Sequence, residues 1–175
     1  ARNSESQKQK CDNEKNSFAV GKSRTLFGFD KKGKSIFEFR IPDHTATAGA
    51  MSDKGTFALG TVGGWVHLVD NKGNILWKYK PFDAISIGHN SIDITSDGKY
   101  IVAGYSGAMQ SRQEIKDSRI IVFDNKGNIV WEHRGEIKIN SKDLILGVMH
   151  VDISDDASKI VASYGDNYVR VFERK

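Results

Sequence analysis

The sequence has a single cysteine, Cys11, only two prolines and a small excess of positive charge. One cysteine excludes an internal disulfide framework and a cysteine-rich zinc site. No apolar run approaches the roughly 18 residues that a membrane-spanning helix requires, so no membrane span is predicted. The net charge of +4 is spread along the chain rather than gathered in blocks, so it does not indicate a nucleic-acid partner.

The apolar residues that are present are mostly β-branched. The chain of 175 residues contains 17 isoleucines and 12 valines but 6 leucines, with 17 glycines and 9 phenylalanines. Val, Ile and Phe favour strands, and frequent glycine favours tight turns, so the composition predicts an all-β fold. Residues 1–17 are polar and carry no large apolar side chain, and we expect them to form a flexible tail.

One turn pattern recurs three times between alternating apolar segments, in FGFDKKGKSIFEF, HLVDNKGNILWKY and IVFDNKGNIVWEH. An aspartate side chain can fold back onto a turn, and glycine adopts a positive φ at no steric cost. Each copy therefore predicts a β-hairpin, followed by an aromatic residue in its second strand. The three positions hold Asp30, Gly33 and Phe37, then Asp70, Gly73 and Trp77, then Asp124, Gly127 and Trp131.

A second turn lies between these hairpins, in MSDKGTFALG, ITSDGKYIVAG and ISDDASKIVAS. The third copy has Ala157 where the second has Gly98, so we expect a different turn type there, one that accommodates a Cβ atom. The two turns alternate along the chain and define units of four strands. Such units, at a period near 40 residues, are typical of β-propeller blades.

Two families share these repeats. VDNKGNILWKY and FDNKGNIVWEH resemble the repeat of pyrroloquinoline-quinone-type propellers, and VDISDDASKIVASYGDNYVRVFE is similar to a WD repeat. The resemblance covers residues 18–175 and implies a β-propeller, or a partial propeller, of four-stranded antiparallel blades. It also implies that the repeat tryptophan docks against the neighbouring blade. Asp166 would take the structural aspartate of the WD repeat, with Phe172 in place of its tryptophan.

The strand count gives about three and a half blades, a partial one at 18–40, two complete ones at 45–80 and 88–134, and a partial one at 147–175. We expect fourteen strands in groups of three, four, four and three. Because propellers close as rings of 4–8 blades, three interpretations remain open. The chain is a segment of a longer propeller, or its copies complete one another, or it is a four-blade ring with incomplete end blades. Unpaired edges at the terminal units would invite pairing with another chain.

Connections from second to third strands and from fourth to first strands are expected to be long, at 40–47, 80–91, 106–118 and 134–147. They are predicted to lie on one face, opposite the short turns. Long polar loops on a rigid scaffold commonly bind partners, so this face is the predicted binding surface; alternatively, the loops only pack on one another. Trp65 lies outside the repeat position, where it would stack on a sugar or pack between blades. The binding candidates are His89, Asn90, Arg112, Gln113, Glu114, Lys116, Lys138, Lys142 and Trp65.

First strands line the channel of a propeller, and two carboxylates fall in equivalent positions of two of them. Alignment of SIGHNSIDITSDG with ILGVMHVDISDDA matches Asp93 with Asp152. The pair would bind a cation or ordered water, or alternatively accept hydrogen bonds from the next blade's backbone. His150 is a further channel candidate, but His44, His89 and His150 share no register, so no metal site is predicted.

The sequence contains no nucleophile elbow, glycine-rich phosphate loop or zinc-protease motif. We therefore expect a non-enzymatic propeller that binds a protein partner or assembles with itself, without a cofactor. Two alternatives stay open: a fragment of a quinoprotein-like enzyme, which would bind a quinone and calcium, and a carbohydrate-binding propeller. Quinoprotein-like propellers commonly lie outside the cytoplasm, so the resemblance favours an extracytoplasmic or cell-surface location, although WD-like propellers are often cytosolic.

Overall fold

The computed structural model describes residues 17–21, 24–30, 32–81, 86–106, 117–136 and 147–174. Within these ranges the chain forms fourteen β-strands, which pair into antiparallel sheets of three, four, four and three strands. The predicted all-β class is confirmed, and the sheet sizes equal those expected from the strand count. No helix of the described residues is long and apolar enough to cross a membrane. The predicted tail lies outside the described residues except for Ser17, the first residue of β1.

Strands follow chain order across every sheet. The first sheet contains β1 (Ser17–Gly21), β2 (Thr25–Phe29) and β3 (Ser35–Arg40). The second contains β4 (Ala46–Met51), β5 (Phe57–Thr61), β6 (Val66–Val69) and β7 (Ile75–Tyr79). The third contains β8 (Ser86–Ile94), β9 (Tyr100–Ser106), β10 (Asp117–Asp124) and β11 (Ile129–Glu136). The last contains β12 (Val148–Ile153), β13 (Lys159–Tyr164) and β14 (Val169–Glu173).

The repeated Asp-x-x-Gly turn joins the last two strands of each of the first three sheets. Asp70 Oδ1 accepts hydrogen bonds from the backbone N–H groups two and four residues later, both at 2.8 Å. Gly73 follows with a φ of +87°, a conformation that glycine adopts without strain. Asp30 and Asp124 make the same backbone contacts, and a register shift beside each turn marks a β-bulge.

The second repeated turn has one backbone conformation in the third and last sheets. Gly98 has a φ of +71° and donates its N–H to the Thr95 carbonyl at 2.8 Å. Ala157 has a φ of +54° and donates its N–H to the Ser154 carbonyl at 2.7 Å. The expectation of a different turn type at Ala157 is therefore wrong. Its methyl group is fully buried between the third and last sheets, which offsets a left-handed strain of about 1 kcal/mol.

The sheets pack face against face in chain order, with one buried apolar cluster between each pair. Leu26 and Leu59 lie between the first and second sheets. Leu68 and Phe123 lie between the second and third sheets, and Val122 lies between the third and last. The first strands are neighbours as well, because β8 contacts both β4 and β12. The second, third and last sheets therefore meet along their first strands as well as their faces.

Short turns at one end of the sheets are hydrogen-bonded to one another. The backbone N–H of Asp53 donates to the Ser96 carbonyl at 2.8 Å. The N–H of Ser96 in turn donates to the Asp155 carboxylate at 2.9 Å. These two bonds join the β4–β5, β8–β9 and β12–β13 turns of three successive sheets.

Two predictions about the connections are wrong. The predicted 80–91 loop is partly strand, because β8 begins at Ser86. Its pairing with β9 is irregular between Ile87 and Ile92. The extra residues there interrupt the alternation of apolar and polar residues by which a strand is recognised in a sequence. The second-to-third connections were also expected to be long, but short turns join β5 to β6 and β13 to β14. Adjacent antiparallel strands that pair directly need only a few residues between them to reverse the chain.

Candidate binding surfaces

Most residues predicted for the long-loop face lie outside the described ranges. Those residues are Arg112, Gln113, Glu114, Lys116, Lys138 and Lys142. His89 and Asn90 lie within strand β8 rather than in a loop, and only their backbone is described. Trp65 is therefore the one residue of this predicted set whose side-chain surroundings can be examined.

Trp65 ends the short turn between β5 and β6, where its backbone N–H donates to Thr61 Oγ1 at 3.1 Å. The half-buried indole ring lies beneath two lysines. Lys78 Nζ is 4.7 Å from the ring centroid and Lys80 Nζ is 5.9 Å from it, distances typical of cation–π contacts. A sugar that stacked on this side of the ring would displace Lys78.

Beside Trp65 lies a buried histidine that the sequence analysis missed. His67 Nε2 is 3.0 Å from Asp43 Oδ2, while its Nδ1 has no hydrogen-bond partner among the described residues. Lys78 Nζ lies 3.5 Å from the same Asp43 oxygen. Burial lowers the pKa of His67, and the nearby Asp43 carboxylate only partly opposes this shift. The available signal was a histidine inside the otherwise apolar strand VHLV.

The two predicted channel carboxylates are in contact between β8 and β12. Asp93 pairs with Val102 and Asp152 pairs with Val161, so they occupy equivalent registers of the third and last sheets. Asp93 Oδ2 accepts a hydrogen bond from the backbone N–H of Ile153 at 3.0 Å. Burial, together with the hydrogen bond and negative charge of Asp152, raises the pKa of Asp93 to about 7. When Asp93 is protonated, its hydrogen bond with Asp152 joins the two strands.

His150, the other channel candidate, is exposed on β12, beside an irregularity in its pairing with β13. Across the described residues, no group of three or more His, Cys, Asp or Glu side chains is close enough to hold a metal ion. The carboxylate pair and His150 therefore do not form a recognisable ligand set with each other.

Aromatic residues at the repeat position contact the next sheet. Phe37 lies against the turn at Gly73, where an added Cβ atom would meet its ring at 3.4 Å. Trp77 lies against the turn at Gly127 in the same way, at 3.1 Å. Trp131 has its ring centroid 5.7 Å from that of Phe172 in β14. These residues connect the sheets in series.

Asp166 holds the β13–β14 turn of the last sheet. Its Oδ1 accepts the backbone N–H of Tyr168 at 3.0 Å, and its Oδ2 accepts a hydrogen bond from the Arg170 guanidinium at 2.6 Å. These contacts lower the pKa of Asp166, the Arg170 hydrogen bond being the largest cause. The side chain stabilises its own turn rather than lining a ligand site.

The last sheet has one uncovered apolar face. Three of its valines are strongly exposed, although their equivalents in the third sheet are fully buried. The exposed residues are Val161, Val169 and Val171, at 40%, 65% and 63%. The buried equivalents are Val102, Ile120 and Val122, each at 0%. These three exposed valines form what we call the valine face.

The first sheet carries two phenylalanines on the side that faces away from the second sheet. Phe27 and Phe29 alternate with Leu26, which packs toward the second sheet, so they lie on the opposite side of the strand. Their ring centroids are 6.4 Å apart and both residues are half-buried. Their equivalents in the third sheet, Ile121 and Phe123, are buried against the second sheet. We call this side of the first sheet the phenylalanine face.

No family model matches this chain, and no curated protein matches it.

Proposed function

We propose that this chain is a non-enzymatic β-propeller scaffold that binds protein, including copies of itself, through the outer faces of its terminal sheets. The observation that carries the proposal is the valine face, because the same positions are fully buried wherever another sheet follows. Contiguous exposed apolar residues are typical of protein-binding surfaces, and burial of the exposed part of each valine there contributes about 1 kcal/mol.

The way in which successive sheets meet supports the propeller arrangement. Each sheet packs against the next, and β4, β8 and β12 are neighbours. The last strands of the central sheets instead carry exposed apolar residues, such as Leu76 at 52% and Val130 at 41%. Repetition of one sheet-to-sheet contact around an axis produces a ring of blades. The described strands pair only within their own sheets. Closure of a ring therefore requires contact between the faces of two sheets.

The two alternative functions gain less from the described residues. Carbohydrate binding relied on Trp65, whose ring lies against Lys78 within its own sheet. A quinoprotein-like enzyme relied on the channel, where Asp93 already accepts a hydrogen bond from the backbone of Ile153 and contacts Asp152. Both sets of contacts explain why the side chains are there without a ligand.

Multi-angle light scattering of the purified full chain over a range of micromolar concentrations tests the proposal. We expect a mass that rises above the 19.5 kDa of one chain as the concentration increases. Val171→Lys should lower that mass, because association would bury an unpaired ammonium group. Leu76→Lys, at a similarly exposed site on β7, should leave it unchanged. A chain that stays at 19.5 kDa at every concentration contradicts self-assembly.

A further inference from the structure

The repeat geometry also specifies what covers the valine face. We propose that it docks onto the phenylalanine face of a second copy, and that two copies close a ring of eight sheets through two such contacts. This inference rests on the proposed function and specifies its partner, its surfaces and its stoichiometry.

Strand pairing establishes which residues are equivalent on the valine side. One cross-strand pair recurs in three sheets, between their second and third strands. The pairs are Ala58 with Leu68, Val102 with Val122, and Val161 with Val171. The first two pairs are at most 1% exposed because the next sheet covers them. The third pair has the same register as the other two and consists of two valines, as the second pair does, but it is exposed.

The surface that covers such a pair is also a repeated feature. Three strands have a phenylalanine at the same position near their end, namely Phe29 in β2, Phe123 in β10 and Phe172 in β14. These strands correspond because the first sheet begins with the second strand of its unit. Phe123 packs into the cluster with the second sheet, and Phe172 packs against the cluster with the third sheet. Phe29 is the remaining copy, and no described sheet lies on its side of the first sheet. The complement that the valine face requires is therefore present on the chain itself.

Each chain thus carries one face of each kind, at opposite ends of the series of sheets. A contact between two different surfaces joins copies head to tail. Such copies form a closed ring when the rotations that relate successive copies add up to a full turn. Four sheets per chain make eight in two chains, which is within the 4–8 blades of known rings. One chain does not cover its own valine face, since Val169 remains 65% exposed.

Thiol cross-linking between two different single-cysteine variants tests the contact. In a Cys11→Ser background, Val171→Cys is mixed with Phe29→Cys, and the mixture is treated with a short bismaleimide. We expect a covalent dimer of twice 19.5 kDa from the mixture and only single chains from either variant alone. Leu76→Cys mixed with Phe29→Cys is the matched control, since Leu76 is equally accessible but lies on β7, and it should give no dimer.

A chain that carries both Phe29→Cys and Val171→Cys tests the number of copies. A closed pair of chains gives dimers and no larger product, whereas an open head-to-tail series gives a ladder of higher multiples. A ladder overturns the ring of two copies. Dimers from Val171→Cys alone overturn the head-to-tail contact, because they require two identical faces to meet.

Failure of the inference and failure of the proposed function give different results. Light scattering that shows assembly, without cross-links in the mixture, overturns this pairing of faces and leaves the scaffold function in place. Light scattering that shows one chain at every concentration overturns this inference together with the self-assembly part of the proposed function. Circular dichroism melting of each cysteine variant shows whether it folds, and Val171→Lys provides a second variant at a strongly exposed position, where folding should be retained.

Discussion

The indole N–H of Trp77 donates a hydrogen bond to the backbone carbonyl of Asn125, 3.1 Å away in the hairpin turn of the next sheet. The same indole lies 5.3 Å, centroid to centroid, from the ring of Phe123. One side chain near the end of a β-hairpin therefore fixes both the distance and the orientation of the sheet that follows.

Truncation of Trp77 should loosen the contact between the second and third sheets. We expect Trp77→Ala to lower the free energy of unfolding by about 2–3 kcal/mol, somewhat less than for a fully buried tryptophan. Trp77→Phe, which keeps a ring but loses the donor, should cost about 1 kcal/mol. The adjacent, exposed Leu76→Ala should change stability by less than about 0.5 kcal/mol. Urea denaturation measures all three, and equal losses at Trp77 and Leu76 would contradict the docking role.

Substitution of two glycines with the same left-handed backbone distinguishes the cost of backbone strain from the cost of a steric contact with a side chain. Gly33 has a φ of +78° with no heavy atom within 4 Å of an added Cβ, whereas Gly127 has a φ of +87° and an added Cβ would lie 3.1 Å from the Trp77 ring. Gly33→Ala should therefore cost about 1 kcal/mol from backbone strain alone. Gly127→Ala should cost about 1 kcal/mol more, since the ring must shift. Equal losses in thermal denaturation would show that Trp77 is not packed on this turn.

The hairpins were predictable because their chemistry is local. Asp70 bonds to backbone groups two and four residues away, and Gly73 supplies the required φ, so one short motif determines the turn. The alternating apolar residues around it likewise predicted the strands. Strand β8 was partly missed, since its irregularity between Ile87 and Ile92 interrupts the alternation.

The candidate surfaces depend on contacts between distant parts of the chain. His67 meets Asp43 across 24 positions, and Asp93 meets the backbone of Ile153 across 60. No short motif encodes either contact. The exposure of Val171 was not predictable either, because its sequence context matches that of the buried Val122. The two residues differ in exposure because a further sheet covers Val122 and no described sheet covers Val171.

Removal of the Asp43 carboxylate should leave His67 buried with both ring nitrogens unpartnered. We expect Asp43→Ala to lower the free energy of unfolding by about 1–3 kcal/mol, the cost of an unsatisfied buried polar group. Lys78→Met removes the charge near the same oxygen but keeps an apolar stem over Trp65. Because Lys78 is 45% exposed, that change should cost at most about 0.5 kcal/mol. Comparable losses from the two variants in urea denaturation would contradict a structural role for the Asp43–His67 bond.

The raised pKa of Asp93 makes one contribution to stability that decreases as the pH rises. The folded state keeps this proton up to about pH 7, whereas the unfolded carboxyl loses it near 3.8. Between these values the folded state binds one more proton, so the contribution is full below about pH 4 and lost above pH 7. The lowered pKa of His67 acts in the opposite direction, since its contribution is lost as the pH falls through the ordinary histidine range. The contribution of Asp93 is therefore isolated by the difference in free energy of unfolding between an Asp93 variant and the wild type at each pH.

Asp93→Asn keeps an oxygen that can accept the Ile153 N–H but cannot ionise. Relative to the wild type, its free energy of unfolding should increase between acidic and mildly basic pH, because the wild type alone must ionise a buried carboxyl. Urea denaturation at several pH values provides the measurement. A difference between variant and wild type that does not change with pH would show that Asp93 titrates normally.

The central claim is that the sheets of two copies fan around one axis and close a ring. Small-angle X-ray scattering of the assembled full chain tests it most directly. A compact particle of twice 175 residues should have a radius of gyration of about 20–23 Å and a symmetric distribution of interatomic distances. An elongated particle, with a long tail in that distribution, would mean that the chains join at one end only and leave the ring open.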